Sequence, residues 1–160
     1  MSSNSSWGIR LLSRSAQEAA WWFDRLEAKW ERAGRPFERR LLDAALAALR
    51  ELPPTQGEQV LVNQDVHADN VLAGEREPWL LIDPKPLVGE REFGLASLVR
   101  GGELGGDPVS RLDRLTRELG LDRERARGWA LAQTVAWSGL SAGGASESHV
   151  DVARRLVEAR

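Results

Sequence analysis

Apolar residues first recur at helical spacing: Ala19, Trp22, Phe23, Leu26 and Trp30 fall at three- and four-residue steps, the repeat that lines one face of an α-helix. Ser15-Ala16-Gln17-Glu18 just before them reads as a capping box. In such a box the serine hydroxyl takes a free backbone N–H and the glutamate reaches back. The pattern predicts a helix from Ser15 to about Arg32, ended by a left-handed residue at Gly34, after a polar, flexible start over residues 1–14. Pro36 suits the first turn of a second helix, whose stripe of Leu41, Leu42, Ala45, Leu46 and Leu49 runs until Pro53-Pro54 stop it.

The period then changes. Gln59 to Asn63 and Trp79 to Ile82 are short apolar runs with the character of strands, separated by a loop and the turn-forming segment Gly74 to Pro78. Helical spacing returns near Phe93 to Val99, from Asp107-Pro108 to Gly120, and from Asp122 to about Leu140. Gly143-Gly144 interrupts it before a last helix near Ser148 to Glu158. The chain is thus expected to be an α+β domain, mostly helical, with a small β-hairpin carrying a loop. Trp129 and Trp137 lie eight positions apart with Ala130, Ala132 and Val135 between them, a spacing of core packing.

Composition narrows the class. A chain of 160 residues is enough for one domain with a real core and too short for two of ordinary size. Hydrophobic residues at 42% and charged residues at 29% exclude a disordered or fibrous class. The formal net charge of -2, with basic residues dispersed among acidic ones, argues against a nucleic-acid partner. No cysteine is present, which excludes disulfides, thiolate zinc sites and a cysteine nucleophile. No apolar run approaches the ~20 residues that span a bilayer, and the start lacks a signal-peptide pattern. No membrane partner is expected, and the location is expected to be cytoplasmic.

Chemistry concentrates between Val60 and Asp83. Asp65 and Asn70 stand five positions apart in a loop after a strand, and Asp83 ends the next apolar strand. Phosphoryl transfer of the protein-kinase type uses this order: an Asp that accepts the hydroxyl proton, an Asn downstream in the same loop that holds magnesium, and an Asp beyond the following strand that holds it too. Magnesium takes oxygen ligands and keeps several waters, so one carboxylate and one amide oxygen beside the phosphates suffice. His67 has only His149, far along the chain, as a second imidazole, so a role in fixing the loop is favoured over zinc binding. Asp69 is expected to cap the turn into Asn70-Val71-Leu72, with added charge near the metal as the alternative. Lys85 and the run Glu90-Arg91-Glu92 follow in the segment where an acceptor would approach. Their acidic groups can attract a polycation, though a merely solvated face is the commoner state of such a run.

Gln64-Asp65-Val66-His67-Ala68-Asp69-Asn70-Val71-Leu72 and Leu81-Ile82-Asp83-Pro84-Lys85-Pro86, followed by Val88-Gly89-Glu90, resemble the aminoglycoside phosphotransferases, in particular the streptomycin 6-kinase and hydroxyurea phosphotransferase branch. The resemblance implies a protein-kinase-like fold, ATP as donor, Mg2+, and a hydroxyl of an aminoglycoside-type small molecule as acceptor. By position Asp65 would be the catalytic base, with Asn70 and Asp83 binding the metal and the nucleotide. The chain departs from the family pattern at Asn63-Gln64, where His-Gly is common, and at Gly94, where many relatives carry an Asp that makes a supporting hydrogen bond. Neither a Gly-rich phosphate loop nor a strand-borne lysine is visible, the two lysines being Lys29 and Lys85. Residues 15–160 are therefore expected to form the C-terminal lobe, weak or inactive alone. Such a chain is a truncated remnant or one half of a split kinase, with an N-terminal lobe supplied in trans.

Overall fold

Helix α1 (Ser15–Arg32) lays Ala19, Trp22, Leu26 and Trp30 into the core, while Phe23 stays at the surface. The computed structural model describes residues 13–102 and 104–159. Residues 1–12, most of the segment expected to be flexible, lie outside the described residues. The cap of α1 falls one residue earlier than the sequence predicts. Arg14 is the N-cap and its backbone N–H donates to Gln17 Oε1 at 2.9 Å. Ser15 is buried within the first turn and donates its hydroxyl to Gln56 Oε1 at 2.7 Å. The shift has a tertiary cause: Ser13 and Arg14 run beside the strand that contains Val88, whose N–H donates to Ser13 O at 2.9 Å. At the other end Gly34, at φ 79°, lets Arg35 N–H reach back to Trp30 O at 2.9 Å.

Helix α2 (Arg39–Glu51) buries Leu41, Leu42, Ala45 and Leu49, and a 3-10 turn at Pro53–Thr55 follows it. Pro36 stands in the loop ahead of the helix rather than in its first turn, Glu38 being the N-cap. Later come the short helix α3 (Ala96–Arg100), then α4 (Pro108–Leu119), α5 (Arg123–Ala136) and α6 (Glu147–Glu158). Asp107 caps α4 by accepting the N–H groups of Val109 and Ser110, and Gly120 at φ 62° ends it, so both predicted boundaries hold. Helix α5 stops at Ala136, short of the predicted Leu140. Trp137 closes its last turn and Gly139, at φ 72°, redirects the chain.

Helix α5 is the axis of the core. From Trp129 to Val135 every residue is buried, including Gln133 and Thr134, because α2, α3 and α6 pack around it. A helix enclosed on all sides loses the one-sided stripe of a surface helix. Phe93 ties the layers together: its ring lies parallel to Trp22 at 6.1 Å and meets Trp129 edge to face at 5.0 Å. Such aromatic pairs add about 0.5–1.5 kcal/mol beyond the area they bury.

The β structure differs from the predicted single hairpin. Four strands form two nested antiparallel ribbons. The outer one pairs β1 (Val60–Asn63) with β4 (Pro86–Gly89), and the inner one pairs β2 (Val71–Ala73) with β3 (Trp79–Leu81). The predicted strands at 59–63 and 79–82 both exist, but they are not partners. Strand β2 has three residues and β4 begins at a proline, so neither carries a readable period-two pattern. Strand β3 lies at the surface, Trp79 to Leu81 all being exposed.

At Gly89 an added Cβ would stand 2.6 Å from Ser15 Oγ and 2.8 Å from Ser15 Cβ. Gly89→Ala is expected to destabilise the domain by about 1–3 kcal/mol. A urea-unfolding midpoint equal to that of the unaltered chain would show that β4 and α1 are not packed this closely.

Candidate active site

The outer ribbon delivers the loop. Strand β1 ends at Asn63, paired in register with Pro86 at the start of β4, so the residues just beyond each, Asp65 and Lys85, emerge side by side. Asn63 ties the two together: its Oδ1 accepts the backbone N–H of Asp65 at 3.2 Å and that of Lys85 at 2.9 Å. Lys85 Nζ donates to Asp65 Oδ2 in a short contact. The hydrogen bond to Asp65, with the charges of Asp65 and Asp83 behind it, holds the Lys85 ammonium above the ordinary lysine range against the opposing effect of desolvation. The side chain of Lys85 is half exposed and that of Asp65 is 16% exposed, so solvent screens part of this pairing.

The inner ribbon brings in the other two residues. After His67, a 3-10 turn at Ala68–Asn70 leads into β2. Asn70 is 8% exposed; its Nδ2 donates to Asp65 O at 3.2 Å and lies 3.0 Å from His67 Nε2. An amide N–H2 only donates, so His67 must accept there and carries its proton on Nδ1. Asn70 Oδ1 is thereby left as the oxygen the side chain can offer a ligand. Asn70 O accepts the Ile82 N–H at 2.8 Å, which fixes the residue just before Asp83 against Asn70, and Asp83 in turn is close enough to Lys85 for its charge to act there. Asp83 adopts φ 44°, a left-handed conformation that Asp tolerates better than most residues; it is exposed.

Asp65, His67, Asn70, Asp83 and Lys85 therefore form one cluster. Asp69 does not cap the turn as expected: its side chain is 98% exposed, with the carboxylate 3.9 Å from His67 Nδ1. Glu90 corrects a second expectation. It does not face an approaching acceptor but is 2% exposed. Its carboxylate accepts from Arg125 Nη2 at 2.8 Å and Nε at 3.0 Å, from Gly57 N–H at 3.3 Å, and from Trp129 Nε1 in a short contact. Glu92 is likewise occupied, accepting the Asp122 N–H at 3.1 Å.

Two participants escaped the sequence. Ser97, buried in α3, accepts the Val66 N–H at 3.0 Å through Oγ and so braces the loop beside Asp65. Gly94 lies against the end of β1, its Cβ position 3.4 Å from Val62 Cβ and 3.8 Å from Asn63 O. The only signal in the sequence was one hydroxyl among Leu95, Ala96, Leu98 and Val99. The other is His149, which lines an open cleft of about 260 Å³ together with Asp65, His67, Ser97 and Arg100.

The donor set suits a hard cation. Asn70 Oδ1 and the Asp83 carboxylate could each offer an oxygen, and magnesium needs no more than one or two of these from protein. Among the described residues no group of three or more His, Asp or Glu gathers into a fuller cage. No helix among the described residues is long and apolar enough to cross a membrane.

Nested ribbons holding an Asp-His-Asn loop over a helical core define a mostly helical α+β domain. Residues 17–148 match the family described as Aminoglycoside/hydroxyurea antibiotic resistance kinase, and the chain belongs to that family. It is 51% identical over 98 residues to a hydroxyurea phosphotransferase of Kitasatospora aureofaciens, a stretch covering 61% of this chain and 28% of that protein. It is 42% identical over 137 residues to a streptomycin 6-kinase of Streptomyces griseus, covering 77% of this chain and 44% of the relative. The chain thus spans less than half the length of these relatives. A streptomycin 3''-kinase of Klebsiella pneumoniae is 36% identical over 107 residues. No solved structure matches the chain.

Glu90→Ala leaves the Arg125 guanidinium and the Trp129 N–H without their buried acceptor and is expected to destabilise the fold by about 3–5 kcal/mol; an unchanged urea midpoint would refute the role of this carboxylate. Burial first, and Arg100 second, hold the His149 imidazole below its usual range. The folded chain then binds a proton there less readily than the unfolded chain, so the contribution of this group is complete above the ordinary histidine pKa of about 6.5 and declines as pH falls below it. Urea midpoints measured from about pH 7.5 to about pH 5 should fall less steeply in His149→Gln than in the unaltered chain.

Proposed function

We propose that the chain is the base- and metal-bearing C-terminal lobe, kinase-like in fold, of an ATP-dependent O-phosphotransferase acting on a small hydroxyl compound. The observation that carries this is the convergence of Asp65, Asn70 and Asp83 from two ribbons onto one cluster, in the order and chemistry that phosphoryl transfer requires. Lys85 occupies Asp65 Oδ2, which leaves Oδ1 to accept the acceptor's hydroxyl proton. Asn70 and Asp83 would hold Mg2+, which when bound neutralises charge on the phosphate oxygens. His67, Asn63 and Ser97 orient the loop and do not enter the chemistry.

Two features favour a partner for the rest of the cleft. The relatives are more than twice as long as the segments they share with this chain. The inner ribbon also exposes Leu72, Trp79, Leu80, Leu81 and Ile82 by 40–71%, a row more apolar than isolated surfaces usually leave bare. A nucleotide-binding lobe, joined or supplied in trans, would cover that row and clamp the phosphates. The two acceptor classes that the relatives' names contain, streptomycin and hydroxyurea, differ sharply in size and charge. The competing account, an inactive remnant or a half awaiting its other lobe, is separated by calorimetry. Mg-ATP is expected to bind the chain and to lose affinity in Asp83→Ala, whereas a remnant shows no heat at all. Where phosphorylated product forms, Asp65→Ala should lower kcat by about 10²–10⁴; turnover that survives this change would remove Asp65 as the base.

A further inference from the structure

We infer that Lys85 is a cationic donor to the transferring phosphoryl group, its one ammonium holding the base Asp65 and the γ-phosphate oxygens together. The inference rests on the phosphotransfer function proposed above and adds the positive charge that the loop and its two oxygen ligands lack. Phosphoryl transfer depends mainly on positioning and on positive charge around the moving oxygens. The chain has two lysines. Lys29 stands over the Trp21 ring on α1 at 4.9 Å, whereas Lys85 is the one lysine or arginine in the cluster with Asp65, His67, Asn70 and Asp83.

The contacts of Lys85 allow both tasks at once. Its backbone is clamped on two sides: the N–H donates to Asn63 Oδ1 at 2.9 Å, and the carbonyl accepts the Gln64 N–H at 3.3 Å. The side chain therefore starts from a fixed point and reaches Asp65 Oδ2. An ammonium carries three N–H groups; Asp65 takes one of them, and the side chain is 52% exposed. Lys85 need not release Asp65 to donate elsewhere. Where it would donate follows from the chemistry of the step. As the acceptor oxygen bonds to the γ-phosphorus, its proton passes to Asp65 Oδ1 and the electrons of the broken P–O bond leave on ADP. The phosphorus is then one bond from an oxygen held on Asp65, and its other oxygens would lie beside the cation seated on the second oxygen of that carboxylate. Asp83 is near enough for its charge to act on Lys85 as well, so the base and the carboxylate proposed to hold the metal share this one counter-charge.

A contact to the γ-phosphate exists only in a nucleotide that has one, which separates this role from that of a strut that merely orients Asp65. Mg-ATP and Mg-ADP would be titrated into the full chain, with binding measured by calorimetry and the ammonium NMR signals of the two lysines followed alongside. Lys29→Arg assigns those signals. Lys85→Met should weaken Mg-ATP by about tenfold or more and Mg-ADP by less than about twofold, the difference being one charge-assisted hydrogen bond. In the unaltered chain the Lys85 signal should move saturably with Mg-ATP and stay in place with Mg-ADP, a reading that holds whether or not Lys85→Met folds. A Lys85 signal that answers both nucleotides alike, or neither, would overturn the inference and leave the nucleotide site standing. So would a folded Lys85→Met chain that keeps its affinity for Mg-ATP or loses both nucleotides equally. A chain that binds neither nucleotide removes the inference and the proposed nucleotide site together.

Discussion

The buried carboxylate of Glu90 is the constraint on which the placement of the site depends. It closes strand β4, and from there it reaches Arg125 and Trp129 on the central helix and the N–H of Gly57 ahead of β1. A charge removed from water in this way is tolerable only when paired and fully hydrogen-bonded, so the segments that supply its partners are held in one arrangement. Its hydrogen bond and charge also raise the Arg125 guanidinium above its ordinary range. Next to it Gly89 lets Ser15 approach the ribbon closely, so α1 is referenced to the same point.

From that anchor the outer ribbon runs toward its open end, where order passes to polar contacts. Asn63 bridges the two strand continuations and Ser97 holds Val66 from the helical side. Asp65 therefore rests on supports from both layers of the domain, although it lies in a loop. Loops that carry chemistry on a rigid scaffold are common; here the rigidity comes from amide and hydroxyl side chains rather than from apolar packing. The apolar packing lies deeper, in the sequence of rings Trp22, Phe93 and Trp129.

The surface divides into dissimilar parts. The helical side is laced with exposed ion pairs such as Arg154 with Glu38 and Arg39 with Glu27, each worth little by itself. The inner ribbon instead presents leucines and Trp79 to solvent. A domain with a well-filled core has no folding reason to leave that row uncovered, an observation that supports the second lobe proposed above.

Local pattern was enough to place α1, α2, α4 and α6 and to bring Asp65, Asn70 and Asp83 to notice, because helical periodicity, Pro and Gly punctuation, and an Asp-to-Asn spacing are properties of neighbouring residues. It also identified the stretches of β1 and β3. It did not pair them, since hydrogen-bond partners in a sheet are chosen by long-range closure and three-residue strands carry no period. The same limit hid Glu90: a charge in an acidic run reads as solvated until Arg125 and Trp129, more than thirty positions away in sequence, are folded around it. Ser97, Asn63 and the cleft at Arg100 and His149 lay beyond the sequence for that reason too. The sequence alone thus determined which side chains are chemically able to act. Tertiary structure decided which of them are taken up as struts and which remain open to a ligand, because burial and hydrogen-bond satisfaction are settled only when distant segments meet.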